Sequence, residues 1–258
     1  MPGCDLTGAN PLPHQNARAL NSMAHANLAD RSHSVAFAAH VSMLETSPNS
    51  HPGEVSKPPP HGKRRGGARN RADRESHGLT ARQIANLMAA VLMASQIGLP
   101  LNRFITLHWE AAGLRLDDMA TATGRFLGLL SKWLGRRGHR TAWIWVHENG
   151  GNEGAHCHLL VHVPPDCVGD LTAAQKRWLR KITGGPYRAS VVKSVPIGRR
   201  LGLEASNPNL HLANLETVTA YVIKQTDTVT TLGFHQPGGR VIGKRCGTSQ
   251  NIGAKARS

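Results

Sequence analysis

The sequence predicts an α+β fold built around an antiparallel sheet. From residue 79 onward, segments with apolar residues at helical spacing alternate with short segments typical of strands. Two of the strand segments, 141–147 and 156–163, follow each other with only a Gly-rich connection between them. Such a pair is typical of a β-hairpin with a long loop, and hairpin strands run antiparallel.

The helices are predicted from capping residues and apolar spacing. Thr80 is a suitable cap for a first helix, and Asp170 is a suitable cap for the third. Leu127, Leu130 and Trp133 fall on one side of the second helix. The predicted helices cover residues 79–93, 117–134, 171–182 and 215–225. The predicted strands cover residues 103–109, 141–147, 156–163 and 189–195.

Between the first and last helices, the predicted order is strand, helix, strand, strand, helix, strand. That order is the ferredoxin-like (βαββαβ) unit. The helix at 215–225 follows it and carries Tyr221. We therefore predict a ferredoxin-like antiparallel sheet with helices, plus a C-terminal tyrosine-bearing helix.

Composition divides the chain into three parts. Residues 1–78 are rich in Ala, Ser, Asn, His and Pro and contain a basic stretch from Lys63 to Arg71, which predicts a disordered basic arm. Residues 79–235 hold all the predicted helices and strands and form the predicted folded domain. Residues 236–258 are rich in Gly and Arg and are predicted to be a basic tail.

The charge of the chain indicates an anionic partner. The formal net charge is +15, and such a field attracts polyanions at long range. Nucleic acid fits best, and an anionic membrane surface is second. No apolar stretch approaches the roughly 18 residues of a membrane span, and the first thirty residues lack a signal-peptide pattern, so we expect a cytoplasmic protein without a membrane partner. The 4 cysteines have no metal-binding or disulfide spacing.

His156 and His158 are candidate metal ligands. On a strand, side chains at positions i and i+2 point to the same side, so the two imidazoles are able to share one ion. Glu148, at the end of the preceding strand, is the expected third ligand. Regular alternation groups Glu148 with Ile144 and Val146 but places His147 on the other side, so His147 remains an alternative unless a bulge intervenes.

Two other questions about these histidines stay open at this point. In a chain with 15 histidines, His156 and His158 are alternatively polar residues on a half-exposed sheet face. Ligand chemistry also leaves the metal open, because imidazole suits zinc or iron whereas a carboxylate suits magnesium or manganese.

Tyr221 and Lys224 are a candidate nucleophile and its cationic neighbour. They are three residues apart on a predicted helix, so they lie on nearly one face. A phenol of pKa about 10 is a weak nucleophile at neutral pH and needs a nearby cation or metal. Lys224 is positioned to supply that charge or to bind a phosphate. Taken alone, such a pair is usually a packed aromatic residue beside a solvated amine, and only its combination with His156 and His158 favours a catalytic role.

In combination, these segments resemble the HUH endonuclease superfamily, specifically rolling-circle replication initiation proteins of the single-tyrosine type. Residues 104–108 (Phe-Ile-Thr-Leu-His) are similar to the first motif of the family. Glu148 with His156-Cys-His158 is similar to the metal-binding motif, and residues 218–224 (Val-Thr-Ala-Tyr-Val-Ile-Lys) are similar to the nucleophile motif. The resemblance covers about residues 100 to 228.

The resemblance implies a metal-dependent transesterification on single-stranded or hairpin DNA at a replication origin. Mg²⁺ or Mn²⁺ is the implied cofactor, held by Glu148, His156 and His158. Tyr221 is the implied nucleophile, giving a 5′-phosphotyrosyl link and a free 3′-hydroxyl, with Lys224 beside it. A host polymerase and a host helicase are the implied partners.

Some features depart from the family pattern or leave the function open. No second tyrosine accompanies Tyr221, and the Gly238–Lys244 match to a phosphate loop has Arg245 in place of the required Ser or Thr. A transposase or mobilisation nuclease of the same superfamily, or a non-catalytic nucleic-acid-binding module, remains an alternative. The predicted phosphate contacts are Arg199, Arg200, Lys244 and Arg245, together with the basic stretch of the arm.

Overall fold

The computed structural model describes residues 73–150, 154–225 and 238–258. Its helices are α1 Ala81–Gln96, α2 Met119–Gly135, α3 Val168–Thr183, α4 Leu203–Ser206 and α5 Pro208–Ile223. Its strands are β1 Glu75–Ser76, β2 Arg103–His108, β3 Trp143–Asn149, β4 Ala155–Val161, β5 Val192–Pro196, β6 Val241–Ile242 and β7 Cys246–Thr248. Most of the predicted arm lies outside the described residues.

The main sheet has five strands in the order β5-β2-β4-β3-β7, and every neighbouring pair is antiparallel. The predicted α+β class with an antiparallel sheet is therefore confirmed. Along the chain, β2, α2, β3, β4, α3 and β5 follow one another as strand, helix, strand, strand, helix, strand. None of the helices in the described part of the chain is long and apolar enough to cross a membrane.

The ends of the helices follow from local sequence. The Thr80 hydroxyl accepts a hydrogen bond from the Gln83 backbone N–H, and the Gln83 side chain accepts one from the Thr80 N–H, which forms a capping box before α1. Helix α3 is capped at its C-terminus by Gly184, whose φ of 71° suits glycine. It begins at Val168, so Asp170 lies inside its first turn instead of capping it.

Side chains along the central strands alternate between the two faces of the sheet, and each face is covered by a layer of helices. Alternate residues of β2, β3 and β4 pack with α2 and α3 on one side, which we call the back face. The intervening residues face α1 and α5 on the other side, which we call the site face. The back face includes Ile105, Leu107, Trp145, Cys157 and Leu159.

Residues 238–258, set apart by composition as a tail, belong to the folded body. Strand β7 pairs with β3 at one edge of the main sheet, and β6 pairs with β1. Ile252 is buried with α1 on the site face, and the Arg257 guanidinium donates to the Asn86 side chain. Strands this short depend on pairing with a longer neighbour, so they leave little periodic signal in the sequence.

Candidate metal centre

The register of the β3–β4 hairpin brings the candidate ligands together. Glu148 lies directly opposite His156, and His158 lies opposite Val146, two residues before Glu148. Pairing is continuous from Trp143 to Asn149, so no bulge interrupts the alternation. Glu148, His156 and His158 therefore share the site face.

These three side chains form a compact, buried group. The Glu148 Oε2 atom lies 3.2 Å from His156 Nε2 and 3.4 Å from His158 Nε2. One ligand atom from each residue lies within 4.8 Å of the others, and none of the three residues is more than 3 % exposed. Two imidazole nitrogens and a carboxylate oxygen suit a divalent cation.

Hydrogen bonds to the remaining ring nitrogens orient the imidazoles. The Gly154 carbonyl lies 2.8 Å from His156 Nδ1 and can only accept, so Nδ1 carries a proton. The neutral ring then presents a lone pair at Nε2, toward Glu148. On the other ring, His158 Nδ1 lies 3.2 Å from the Thr106 hydroxyl. Such partners fix the tautomer and direction of histidines that bind metals.

Electrostatics keep the carboxylate ionised. Burial raises the pKa of Glu148, but the close contacts of its carboxylate with His156 and His158 and the charge of Lys224 outweigh that effect and hold the pKa well below its usual range. Burial lowers the pKa of His158, which favours the neutral imidazole that a metal requires. The centre is therefore a buried anion with neutral nitrogen donors around it, and such a group attracts a cation.

Helix α5 brings Tyr221 and Lys224 to the same centre. The ring of half-buried Tyr221 packs edge-on against His158, with centroids 5.3 Å apart, and against Phe104 at 6.2 Å. Lys224 follows the last turn of α5, and its Nζ lies 3.1 Å and 3.2 Å from the two oxygens of Glu148. The same ammonium lies 3.8 Å from the centre of the Tyr221 ring.

Comparison of the chain with protein-family models, with curated proteins and with solved structures finds no match. What the centre can do therefore follows from its own groups. A buried carboxylate with two imidazoles is able to hold a divalent cation, and a phenol beside a cation is able to act as a nucleophile.

Strand β2 contributes to the site more than the sequence indicated. His108 lies opposite His156, and their rings stack with centroids 5.5 Å apart; Thr106 lies opposite His158. Phe104, Thr106 and His108 alternate along the strand, and that spacing was the available signal. Recognising it as part of the centre required knowing that β2 pairs with β4.

Glu110 is a further residue that the sequence did not single out. Its carboxylate accepts a hydrogen bond of 2.9 Å from the Ala155 N–H, and its own N–H donates to the Ala155 carbonyl at 3.1 Å. Gly154 has a φ of 62°, and a Cβ there would collide with the Glu110 carboxylate. Glu110 thus fixes the backbone whose carbonyl orients His156.

The side chain of His147, the alternative ligand, lies on the back face of the sheet. Its Nδ1 donates to the Lys244 carbonyl at 2.9 Å, and its Nε2 accepts from the Thr123 hydroxyl at 2.8 Å. Burial lowers the pKa of His147 to about 3, so the ring is neutral. With both nitrogens hydrogen-bonded on the other side of the sheet, His147 does not join the candidate ligands.

The predicted phosphate-binding arginines and lysine lie in different environments. Arg199 and Arg200 are exposed on the turn after β5, and Lys244 is exposed between β6 and β7. Arg245 is only 2 % exposed, and its guanidinium donates to the carbonyls of Ser76 and Gly239. Its prediction as a DNA contact is therefore corrected, because the guanidinium is used inside the fold to hold three chain segments together.

A second group of possible ligands lies apart from this centre. His139 Nε2 is 2.9 Å from Asp166 Oδ2, and Cys167 is nearby. Burial raises the pKa of Cys167, which disfavours the thiolate needed to bind a metal. The Glu148 group is consequently the better candidate.

Proposed function

We propose that the chain is a metal-dependent endonuclease and nucleotidyltransferase of the HUH type, which nicks and joins single-stranded DNA to initiate rolling-circle replication. The observation that carries the proposal is the contact between Tyr221 and His158. A predicted nucleophile and a predicted ligand, more than sixty residues apart in the sequence, lie side by side with Glu148 and Lys224.

The sheet topology supports the same proposal. The last strand of the βαββαβ segment, β5, lies beside the first, β2, and the third strand, β4, lies between the first and the second. We propose that this is a ferredoxin-like sheet, with α5 as its added tyrosine-bearing helix. Such an arrangement places the ligands on the central strands and leaves one face for the helix.

Glu148, His156 and His158 would hold the divalent cation, Mg²⁺ or Mn²⁺. When bound, the cation would act as a Lewis acid on the scissile phosphate. Tyr221 attacks the phosphorus: a bond forms between its phenolic oxygen and the phosphorus, the bond to the 3′-oxygen breaks, and that oxygen leaves as a 3′-hydroxyl after taking up a proton. The ammonium of Lys224 favours the phenolate form needed for attack.

The covalent link conserves the energy of the phosphodiester bond, so the reverse reaction joins DNA ends without a nucleotide cofactor. The 3′-hydroxyl is the primer from which a host polymerase extends the strand. The sequence has 2 tyrosines, and the one other than Tyr221, Tyr187, packs against the back-face core. Ending a round of replication would thus use water, the reverse reaction or another copy of the chain.

The test is formation of a covalent adduct. The full chain is incubated with single-stranded and hairpin oligonucleotides and Mn²⁺. Protein–DNA adducts that resist denaturation by SDS are then quantified by gel electrophoresis. We expect an adduct with the wild type and with the control Tyr187→Phe, and none with Tyr221→Phe. An adduct retained by Tyr221→Phe would contradict the choice of nucleophile.

The absence of any adduct across diverse hairpins, in a protein that still binds these oligonucleotides, would favour a non-catalytic binding module. A circular-dichroism spectrum of each variant shows whether it is folded, so loss of the adduct is not confused with loss of structure.

A further inference from the structure

The outer surface of α2 and α3, on the back face, concentrates positive charge. Helix α2 carries Arg125 and Lys132 and no acidic residue. Helix α3 carries four basic residues against one acidic residue, Asp170, which is paired with Arg137 at 3.3 Å. The four are Lys176, Arg177, Arg180 and Lys181.

The helices of the site face lack this excess. Helix α1 has Arg82 as its single charged residue, and α5 has Glu216 as its single charged residue. The positive charge of the helical layers therefore lies on the side of the sheet away from the candidate metal centre. A distribution this uneven creates a directional field and not only a high net charge.

An open groove of about 240 Å³ lies between α2 and α3. Its lining residues are Arg125, Gly128, Leu129, Lys132 and Lys181. A Cβ added at Gly128 would meet only open space, so this glycine leaves room above the α2 wall of the groove. An extended backbone of another molecule is therefore able to approach the helix closely.

The cations of the groove are available to a partner. Within residues 73–150, 154–225 and 238–258, neither Lys132 nor Lys181 forms an ion pair, and both are exposed. Arg125 instead donates to the carbonyls of Lys181 and Ile182, at 3.3 Å and 3.4 Å, which fixes the end of α3 beside α2. The groove is thus held in place by one arginine and presents two uncommitted lysines.

We propose that this groove binds the phosphate backbone of double-stranded DNA. Paired phosphates along a duplex match a row of Lys and Arg side chains, which raise affinity without reading sequence. The two large exposed apolar residues of the described chain, Leu201 and Leu210, lie outside the lining of the groove, so insertion into a membrane is not favoured. The choice of DNA among polyanions rests on the proposed function.

The sheet separates the two surfaces. A single strand at the candidate metal centre and a duplex in the groove would occupy opposite sides of the protein. The groove would then hold the duplex next to an origin while the site face processes its unpaired strand.

The test compares two double variants with equal charge loss in the full chain. Lys132→Gln with Lys181→Gln removes the groove cations, and Arg82→Gln with Lys255→Gln removes two exposed cations elsewhere. Fluorescence anisotropy measures affinity for a labelled duplex of about 30 base pairs over about 50 to 200 mM salt. The slope of log K against log salt is negative, and each lost phosphate contact should reduce its magnitude by about 0.9, so the groove variant should have a slope about 1.8 smaller in magnitude than the wild type.

The control variant should keep the wild-type slope. Equal loss in both variants would show a response to net charge alone and overturn the inference, as would an unchanged slope in the groove variant. Loss of binding to phosphatidylserine vesicles with duplex binding retained would also overturn it, in favour of a membrane.

Adduct formation on a short single strand separates this inference from the proposed function. The groove variant should form the adduct as the wild type does. If no protein forms an adduct but the groove variant still loses duplex binding, the groove stands and the proposed function fails.

Discussion

The two faces of the sheet use buried histidines in different ways. On the back face, His147 belongs to a continuous series of hydrogen bonds. Trp109 donates to Thr123, Thr123 donates to His147, and His147 donates to the Lys244 carbonyl. On the site face, His156 has one nitrogen fixed by a carbonyl and the other turned toward a carboxylate. Both histidines are buried, so burial does not separate a structural histidine from a candidate ligand; the partners of the ring do.

The faces also differ in what they contribute to stability. Both faces bury large apolar side chains, which is the main favourable term in folding. The site face buries Glu148, and an ionised carboxylate is costly to bury unless it is paired. The Lys224 ammonium, which donates to both carboxylate oxygens, compensates for that burial. We therefore expect substitutions in the apolar core of the back face to affect folding, and those of the polar residues at the candidate metal centre to affect binding.

The largest effect is expected from Phe126→Ala on the back face. Phe126 is fully buried and packs edge-on against Trp178, with centroids 5.5 Å apart. Its removal should lower the free energy of unfolding by about 3–5 kcal/mol, measured by urea denaturation. The folded fraction should bind Mn²⁺ with wild-type affinity. Weaker binding by that fraction would show that packing on the back face affects metal binding on the site face.

Glu148→Gln should lower Mn²⁺ affinity at least about 100-fold, measured by calorimetry, because it removes the anionic ligand. The matched variant is His147→Gln, its neighbour on the other face. We expect that variant to keep its Mn²⁺ affinity within about threefold and to lose about 1–3 kcal/mol of stability, because Thr123 and the Lys244 carbonyl lose a buried partner. If His147→Gln abolished Mn²⁺ binding instead, the choice of Glu148 would be wrong.

The contrast between Glu148 and His147 also marks the limit of what the sequence predicts. A period of two groups His156 with His158, and Glu148 with Val146, but it does not say which alternate set of β3 faces the histidines. That depends on the pairing register, which is a tertiary property. The element order was predictable because each helix and strand has its own period.

The role of Arg245 was not predictable for a related reason. An arginine in a Gly-rich segment is usually exposed, and its burial depends on carbonyls contributed by segments far away in the sequence. Similarly, β7 has only three residues and forms because β3 offers it an edge. Such features arise from the assembled fold and leave no local pattern.

Glu110→Ala should weaken Mn²⁺ binding by about fivefold. Without the carboxylate, the Ala155 N–H loses its partner, and the Gly154 carbonyl that orients His156 is held less firmly. Glu110→Gln keeps an oxygen acceptor at the same place and should restore affinity to within about twofold of the wild type. Equal weakening in both variants would mean that the charge of Glu110, and not its hydrogen bond, matters.

Lys224→Met should have the smallest effect. It should raise Mn²⁺ affinity and lower the rate of adduct formation. The ammonium of Lys224 contacts both oxygens of Glu148, so a bound cation must compete with it. Its removal should raise Mn²⁺ affinity by about threefold, because the cation then binds without displacing the ammonium. The rate of adduct formation should fall, because Tyr221 loses the charge beside its ring.

Lys176→Met is the matched control, since Lys176 lies over the ring of Tyr187 on the back face. This substitution should change neither Mn²⁺ affinity nor the rate of adduct formation. A fall in Mn²⁺ affinity for Lys224→Met would show that the lysine supports the carboxylate in its binding geometry and does not compete for it.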